Sequence, residues 1–361
     1  MSTLEVYFRD SHCAQLTQKA NGDLQFQYLE AWLEHGRVPV SLTLPLKKAV
    51  YNHDETAPFV ANLLPEGDDL RNRLERLLHT DKNDDFGLLK AIGRESAGAL
   101  SFWPEGQSPR DNETRYTRLN LDDFQLWREF AHQQPFVLKG QTIRMSLAGA
   151  QAKTALYFDA EHKPYLPENG APTSHILKPN IHGCLPGTVF TEYLTMKLAR
   201  AVLGEDEVPE VDVWQNCYRI RRYDRPGNHG TLRRLHQEDF CLALGRMPTR
   251  KYESEEHPEG LLAACFTLLD QLGEQDLVVA PAIERLRLLR QVIVNILLHN
   301  PDAHLKNYAL VLQTNGKISV SPLYDSLCTY GLNFAATDVS WGQSAGPAAH
   351  TRNLSLWIGG A

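Results

Sequence analysis

Leu298-His299-Asn300-Pro301-Asp302-Ala303-His304-Leu305-Lys306-Asn307 packs an acid, two histidines, a lysine and two asparagines into one short stretch. An apolar helix is predicted upstream, over residues 283–298. Downstream, residues 308–312 and 317–321 read as strands joined by Asn315-Gly316, a dipeptide suited to the positive φ angles of a tight hairpin turn. Pro322-Leu323-Tyr324-Asp325-Ser326 then adds a second carboxylate. The hairpin can fold Asp325 back towards Asp302. A polar loop between an apolar helix and a hairpin is a poor core and a good platform for reactive side chains.

Phosphoryl transfer is the chemistry these residues suit. It depends on positioning and charge neutralisation. It needs a carboxylate for the attacking hydroxyl, hard oxygen ligands for Mg²⁺, a cation for the phosphates and backbone donors over them. Asp302 is the candidate base. Asn307, five residues on, is a candidate metal ligand through its amide oxygen. Protein kinases use the same offset in H-R-D-x-x-x-x-N. His304 stands where it could contact the γ-phosphate. Asp325 is the candidate second metal ligand, in the role of the D-F-G aspartate, although Ser326-Leu327 replaces Phe-Gly. Two other readings fit the loop taken alone. His299, Asp302 and His304 match the H-x-x-D-x-H pattern of a metal hydrolase, and a polar surface loop needs no chemistry at all.

The elements that must position these groups lie upstream. Strands are predicted at 142–147 and 154–159, flanking Ser146-Leu147-Ala148-Gly149-Ala150-Gln151-Ala152-Lys153. That loop is placed to cover a nucleotide, but it is neither G-x-G-x-x-G nor a Walker A loop. Lys178, on a strand predicted at 174–178, suits the lysine that holds the α- and β-phosphates. Glu192, on a helix predicted at 188–203, is placed to pair with it. Val189, Tyr193, Met196, Leu198 and Val202 sit near core-facing spacing on that helix, and Gly204 is its stop signal. Residues 211–214 and 218–223 read as a hairpin. Its second strand leads to the helical part, so its backbone could serve as an adenine-binding hinge. Helices are predicted at 237–244, 261–272 and 283–298.

The chain before this region reads as a mixed unit. It has strands at 5–8 and 24–28 with Asn21-Gly22 turning between them, an extended 42–46, helices at 59–65, 71–78 and 86–92, and a strand at 98–102. Residues 104–115 are rich in turn formers and charge, which marks a boundary. The expected fold class is α/β (α+β): a mostly antiparallel sheet lobe and a helical lobe, preceded by an N-terminal subdomain. The expected units are 1–105, a connecting segment 106–135, and a core 136–361, with the sheet lobe to about 225 and the helical lobe from about 237.

Bulk properties narrow the function classes. The net charge of −7 over 361 residues gives no chain-wide basic bias for nucleic acid or anionic membrane. Arg219-Ile220-Arg221-Arg222 and Arg233-Arg234 remain compatible with phosphate or acidic partners. No apolar run reaches the roughly 20 residues of a membrane span. The N-terminus lacks a signal pattern. Six scattered cysteines without a C-x-x-C pair indicate reduced cytoplasmic thiols and no zinc site.

The motifs together resemble the HipA family of bacterial serine/threonine kinases, the toxins of HipBA-type toxin–antitoxin pairs. The resemblance runs nearly end to end. It rests on Ala20-Asn21-Gly22, Ser41-Leu42-Thr43-Leu44-Pro45-Leu46, Asn62-Leu63-Leu64-Pro65, Ile92-Gly93-Arg94 with Gly98-Ala99, and the loop running from Ser146 to Thr154. It continues through His175-Ile176-Leu177-Lys178, Arg222-Tyr223-Asp224-Arg225, Gln237-Glu238-Asp239-Phe240 with Ala243-Leu244-Gly245, the run from Asn300 to Asn307, and Leu323-Tyr324-Asp325.

The resemblance implies a two-lobed kinase-like fold, ATP and Mg²⁺. It implies Asp302 as catalytic base and Asn307 and Asp325 as metal ligands. It also implies Lys178 on phosphate, Ala148, Gly149, Ala150, Gln151, Ala152 and Lys153 over the nucleotide, and the Arg221, Arg222 and Tyr223 backbone at adenine. His304, Leu305, Lys306 and Tyr324 would lie beside the nucleotide. Ser146 matches the serine that family members phosphorylate on themselves, which would place about −1.5 to −2 charges in the covering loop as a self-inactivating switch. Known family targets are aminoacyl-tRNA synthetases. The usual partner is a helix-turn-helix antitoxin, HipB-like, that carries the pair to operator DNA. Members of this type continue past Asn353-Leu354-Ser355-Leu356-Trp357-Ile358, whereas this sequence ends at Ala361. Two alternatives stay open: a small-molecule or lipid phosphotransferase, and a shortened inactive kinase that binds its antitoxin.

Overall fold

The computed structural model describes residues 1–35, 38–109, 115–131, 137–138, 141–142, 149, 151–181, 187–228, 231–253 and 260–329. The N-terminal elements are β1 (Ser2–Phe8), β2 (Ser11–Gln18), β3 (Leu24–Tyr28), α1 (Glu30–Glu34), α2 (His53–Asn62), α3 (Asp68–Leu78), α4 (Asp85–Ile92) and β4 (Leu100–Pro104). The strands form an antiparallel sheet in the order β3-β2-β1-β4. β2 was not foreseen. Its polar–apolar mixture, Ser-His-Cys-Ala-Gln-Leu-Thr-Gln, conceals a strand whose inward Cys13, Ala14 and Leu16 are fully buried. Asn21-Gly22 therefore turns β2 into β3, not β1 into β3. Phe26, Tyr28, Tyr51, Phe59 and Phe102 fill the core beneath this sheet.

α2 begins with a reciprocal cap. The Glu55 N–H donates to Asn52 Oδ1 at 3.1 Å, and the Asn52 N–H donates to Glu55 Oε2 at 2.9 Å. Such a box satisfies two backbone donors that the helix itself cannot. It fixes where the helix starts, and the helix runs to buried Asn62.

Next come β5 (Arg115–Arg118), α5 (Leu121–Phe130), β6 (Val137–Leu138), β7 (Gln141–Thr142), β8 (Thr154–Phe158), β9 (Pro164–Glu168), β10 (His175–Lys178), α6 (Thr188–Leu203), β11 (Val211–Trp214) and β12 (Cys217–Arg221). One sheet runs β11-β12-β10-β8-β9-β5, with every pairing antiparallel. Residues 115–131, expected as connecting segment, instead supply its edge strand and α5, whose Phe124 and Trp127 pack on Leu156, Phe158 and Leu177. The charged Arg115–Arg118 strand reads as a linker because it is an edge, where solvent accepts polar side chains. On α6, Val189, Met196, Ala199 and Leu203 face the core, while Leu198 and Val202 point outward, against the expected face.

The final part contains β13 (His236–Asp239), α7 (Phe240–Ala243), α8 (Leu261–Glu274), α9 (Pro281–Leu297), β14 (Ala309–Leu312) and β15 (Ile318–Val320). The expected hairpin is β14–β15, with Gly316 at φ 82° in its turn. The helix expected at 237–244 is a strand followed by one helical turn, because residues 236–239 pair with β14 and make a sheet in the order β13-β14-β15. Leu261, Cys265, Leu269, Leu288 and Val292 form the core of this lobe with Leu305, Tyr308 and Leu310. The fold is α+β, as expected. Among the described residues, no helix is long and apolar enough to cross a membrane.

Polar clusters join the N-terminal part to the rest, among them one at Glu238 and one at Glu95. The Glu238 carboxylate accepts hydrogen bonds from Ser41 Oγ at 2.8 Å and the Leu42 N–H at 3.0 Å, and burial raises its pKa to about 7. Glu95 and Asp224 meet Arg222 and Arg225 in the second cluster, where Glu95 also reaches Arg234.

Candidate active site

Lys178 is the last residue of β10, and α6 begins at Thr188. Asn180 Oδ1 accepts hydrogen bonds from the Val189 N–H at 3.0 Å and Thr188 Oγ1 at 3.3 Å. This stitches the strand end to the helix start and sets Lys178 opposite Glu192, one turn along α6. The Lys178 Nζ lies 2.7 Å from Glu192 Oε1 and 2.8 Å from Asp325 Oδ1. Lys178 and Glu192 are buried, whereas the Asp325 side chain is 37% exposed. Burial opposes the Lys178 ammonium, but Asp325 and Glu192 outweigh it and raise its pKa above the ordinary lysine value. Burial likewise opposes the Asp325 carboxylate, and Lys178 and Lys153 hold its pKa below the ordinary value. Burial raises that of Glu192 despite Lys178. The two carboxylates that share Lys178 are thus shifted in opposite directions.

Lys153 brings a second ammonium to the same place. Burial and the neighbouring Lys178 push its pKa down to about 8. Gly149, at φ 109°, lies over it: a Cβ there would sit 2.6 Å from Lys153 Nζ. A side chain at Gly149 would be both strained and obstructed. Gln151 Nε2 donates to the Pro179 carbonyl at 3.4 Å, and Ala152 packs partly buried against the sheet core. Ser146, Ala148 and Ala150 lie outside the described residues.

Asp302 sits in the loop after α9. Tyr252 OH donates to its Oδ1 at 2.6 Å. Burial raises the Asp302 pKa to about 6, against the pull of the Tyr252 hydrogen bond and Lys251. Asp325 and Lys178 act electrostatically on the same carboxyl, so the hairpin does return Asp325 towards Asp302. His304 is buried with its ring edge-on to Tyr252, centroids 5.0 Å apart, and burial lowers its pKa well below the ordinary value. Burial thus favours the neutral imidazole. Leu305 is fully buried and packs in the lobe core, so its side chain anchors the loop.

Asn307 supplies the test of metal fit. Its Nδ2 donates to the Asp325 carbonyl at 3.4 Å, while its buried Oδ1 has no hydrogen-bond partner among the described residues. A buried amide oxygen left unsatisfied is costly unless something else uses it. It lies beside Asp325, whose carboxylate is charged and partly exposed. An amide oxygen and a carboxylate fit Mg²⁺, which binds through one or two protein oxygens plus phosphate oxygens and water. Among the described residues, no group of three or more His, Cys, Asp or Glu could hold a metal ion. The hydrolase pattern at His299, Asp302 and His304 therefore has no such cluster behind it.

The hinge residues behave differently from one another. The Arg221 N–H donates to Glu210 O at 2.9 Å and the Arg222 N–H to Ser174 O at 2.9 Å, so these two amides belong to the sheet. The Arg222 side chain is buried in the Glu95–Asp224 cluster. Tyr223 packs on Tyr324, ring centroids 5.5 Å apart, and its hydroxyl donates to Gln237. Tyr324 OH donates to the Lys306 carbonyl at 2.5 Å. Arg234 is committed to Glu95 and the Gly170 carbonyl.

Several organising residues escaped sequence reading. Asn295, inside the apolar stripe of α9, is a buried hub. It donates to Tyr308 OH at 2.9 Å and accepts from Asn300 Nδ2 at 2.8 Å and Ser326 Oγ at 2.7 Å. It thereby ties the helix to the Asp302 loop and to the residue after Asp325. The available signal was an asparagine where the stripe calls for an apolar side chain. Tyr252 carried no signal of its own.

A lysine held between a helix glutamate and an aspartate, below an antiparallel sheet and facing an Asp-to-Asn loop, is the arrangement of kinase-like proteins. Two family models match this chain: HipA N-terminal domain over residues 4–103, and HipA-like C-terminal domain over residues 145–358. The chain belongs to the HipA family. It is 35% identical over 335 residues to Y4mE, a candidate kinase of Sinorhizobium fredii, covering 90% of this chain and 77% of that protein. It is 29% identical over 344 residues to the serine/threonine-protein kinase toxin HipA of Shewanella oneidensis, covering 90% and 74%. A solved structure of Shewanella oneidensis HipA with HipB and operator DNA superposes with a TM-score of 0.70 at 26% identity, covering 91% of this chain and 76% of that one.

Proposed function

We propose that this chain is an ATP-dependent protein serine/threonine kinase, the toxin of a type II toxin–antitoxin pair. The observation that carries the reading is the buried Lys178 between Glu192 and Asp325, with Asp302 and Asn307 on the facing loop. Lys178 and Lys153 hold the nucleotide phosphates under the loop at Ala148–Lys153, and Tyr223 and Tyr324 flank the base. Asn307 Oδ1 and the Asp325 carboxylate hold Mg²⁺, which when bound neutralises phosphate charge. Asp302 takes the proton from a serine or threonine hydroxyl as that oxygen bonds to the γ-phosphorus and the bond to the β-phosphate oxygen breaks, releasing ADP. His304, neutral and buried, orients the γ-phosphate by a hydrogen bond.

The wider reading follows the family. Residues 1–105 form the N-terminal unit, and the kinase core takes in 115–131 as well as 136–361. The chain works in the cytoplasm. Ser146 is the self-phosphorylation site, in a loop whose new charge would oppose ATP. The partner is a HipB-like helix-turn-helix antitoxin. Because this chain is acidic, with net charge −7, operator DNA is reached mainly through that antitoxin. The target is a translation protein, such as an aminoacyl-tRNA synthetase.

Phosphoproteomics after induction tests this reading and names the target. Serine or threonine sites on a translation protein are expected with wild type and absent with Asp302→Ala. The same sites in both samples would refute it.

A further inference from the structure

The segment that leaves α2 reaches across to the catalytic loop. Lys306, between His304 and Asn307, is buried, and its ammonium has two partners on Asn62. It donates to the Asn62 carbonyl at 3.1 Å and to Asn62 Oδ1 at 2.9 Å, with Asp239 Oδ2 at 2.7 Å as the third acceptor. Asn62 is itself held, because its Nδ2 donates to Pro58 O and Arg246 O, both at 2.8 Å. Three residues further, Pro65 pairs with Gly149, and the Glu66 N–H donates to Gly149 O at 3.3 Å. Glu66 Oε2 pairs with Lys251 Nζ at 2.9 Å. The Lys251 carbonyl accepts from the Leu305 N–H at 3.1 Å, and the next residue, Tyr252, holds Asp302.

One short stretch of the N-terminal domain thus grips three parts of the site: the catalytic loop at Lys306, the Lys251–Tyr252 pair that holds the base, and the nucleotide-covering loop at Gly149. The energetic link is strong. A buried ammonium is costly unless its donors are met, and Asn62 meets two of the three at Lys306. The loop conformation that buries Lys306 is therefore favourable only with the N-terminal domain docked. Glu66 adds charge at the same point, 3.7 Å from Lys306 Nζ.

We propose that Asn62 and Glu66 are positioning residues of the phosphoryl-transfer site, which makes the N-terminal domain a working part of the catalytic centre. This rests on the kinase reading above. Neither residue needs to touch the nucleotide. They fix the distance between the covering loop and the Asp302 loop, and a displacement of about 1 Å in such a site can cost about 10²-fold in rate.

The test measures kcat, the KM for ATP and amide hydrogen exchange in the full chain. Asn62→Ala and Glu66→Lys are each expected to lower kcat at least about tenfold, with KM for ATP within about threefold of wild type. Lys251→Glu added to Glu66→Lys restores that ion pair in reverse and should recover part of kcat, because residue 66 also faces Lys306. Residues 302–307 should exchange faster in Asn62→Ala, while β1 and β2 stay protected. Three results overturn the inference: a kcat loss no larger than the loss of folded protein, a charge swap that recovers nothing, or unchanged exchange at 302–307. If the wild-type chain transfers no phosphoryl group, the kinase reading falls by itself, and exchange at 302–307 still decides the clamp.

Discussion

Asp302→Ala is expected to lower kcat for phosphoryl transfer by about 10²–10⁴-fold, the usual contribution of a positioned base. ATP affinity should change little, because Lys178, Lys153, Asn307 and Asp325 remain. The variant should stay folded, and the sign follows from its pKa. Burial raises the folded Asp302 value to about 6 from an ordinary 3.8. A raised carboxyl contributes stability that is full below its unfolded value and lost as pH rises through about 6. At neutral pH the ionised Asp302 is a cost to the fold, so removing it leaves stability level or better. Activity has the opposite dependence. The base works ionised, so kcat falls as pH drops through about 6. Tyr252→Phe removes a hydrogen bond that favours the ionised form. It should move that acid limb upward by about one pH unit, the equivalent of a charge-assisted hydrogen bond. A pH–rate profile of wild type, Asp302→Ala and Tyr252→Phe checks all three statements.

The largest stability effect is expected at Glu95. Its side chain is 3% exposed, with Arg222 Nη1 and Arg225 Nη2 each 3.1 Å from Oε1, and Arg234 on the other oxygen. Asp224, the companion carboxylate, accepts from Arg222 at 2.8 Å, Arg225 at 2.7 Å and the Gly98 N–H at 2.9 Å. Glu95→Ala leaves Arg222 and Arg225 to share Asp224 and takes from Arg234 its carboxylate. Breaking a buried pair by removing one partner costs about 3–5 kcal/mol, far more than the pair contributes over an apolar replacement. Burial works against the Glu95 carboxylate, but Arg225, Arg234 and Arg222 hold its pKa below the ordinary 4.5. Its contribution is therefore present above the unfolded value and is lost as pH falls through the lower folded value. Denaturant midpoints of wild type and Glu95→Ala at neutral and acid pH should converge as the solution is acidified. Equal midpoints at neutral pH would mean that the cluster does not join the two parts of the chain.

What the sequence revealed, and what it hid, divides along one physical line. Asp302, Asn307, Asp325, Lys178 and Glu192 stood out as candidates because residue type and local spacing mark them, and the structure does bring Lys178, Glu192 and Asp325 together. The β14–β15 hairpin was legible from Asn315-Gly316 for the same reason. Asn62 was not, because its partner Lys306 is 244 residues away and an asparagine at a helix end reads as a cap. β13 was read as helix because only its pairing with β14 makes it a strand. Residues 115–131 looked like a linker because an edge strand and a half-exposed helix carry many charges. Arg222 and Arg234 looked available for phosphate, since nothing local reveals that Glu95 lies between them. Long-range polar contacts leave no periodic trace, and they are what hold this site together.

The most direct measurement uses the purified chain with Mg²⁺ and ATP radiolabelled on either the γ- or the α-phosphorus. Label should pass to protein serine or threonine from γ-labelled ATP, should not pass from α-labelled ATP, and should disappear with Asp302→Ala. Label from the α position, equal labelling by Asp302→Ala, or no labelling of any protein substrate would contradict phosphoryl transfer by this site.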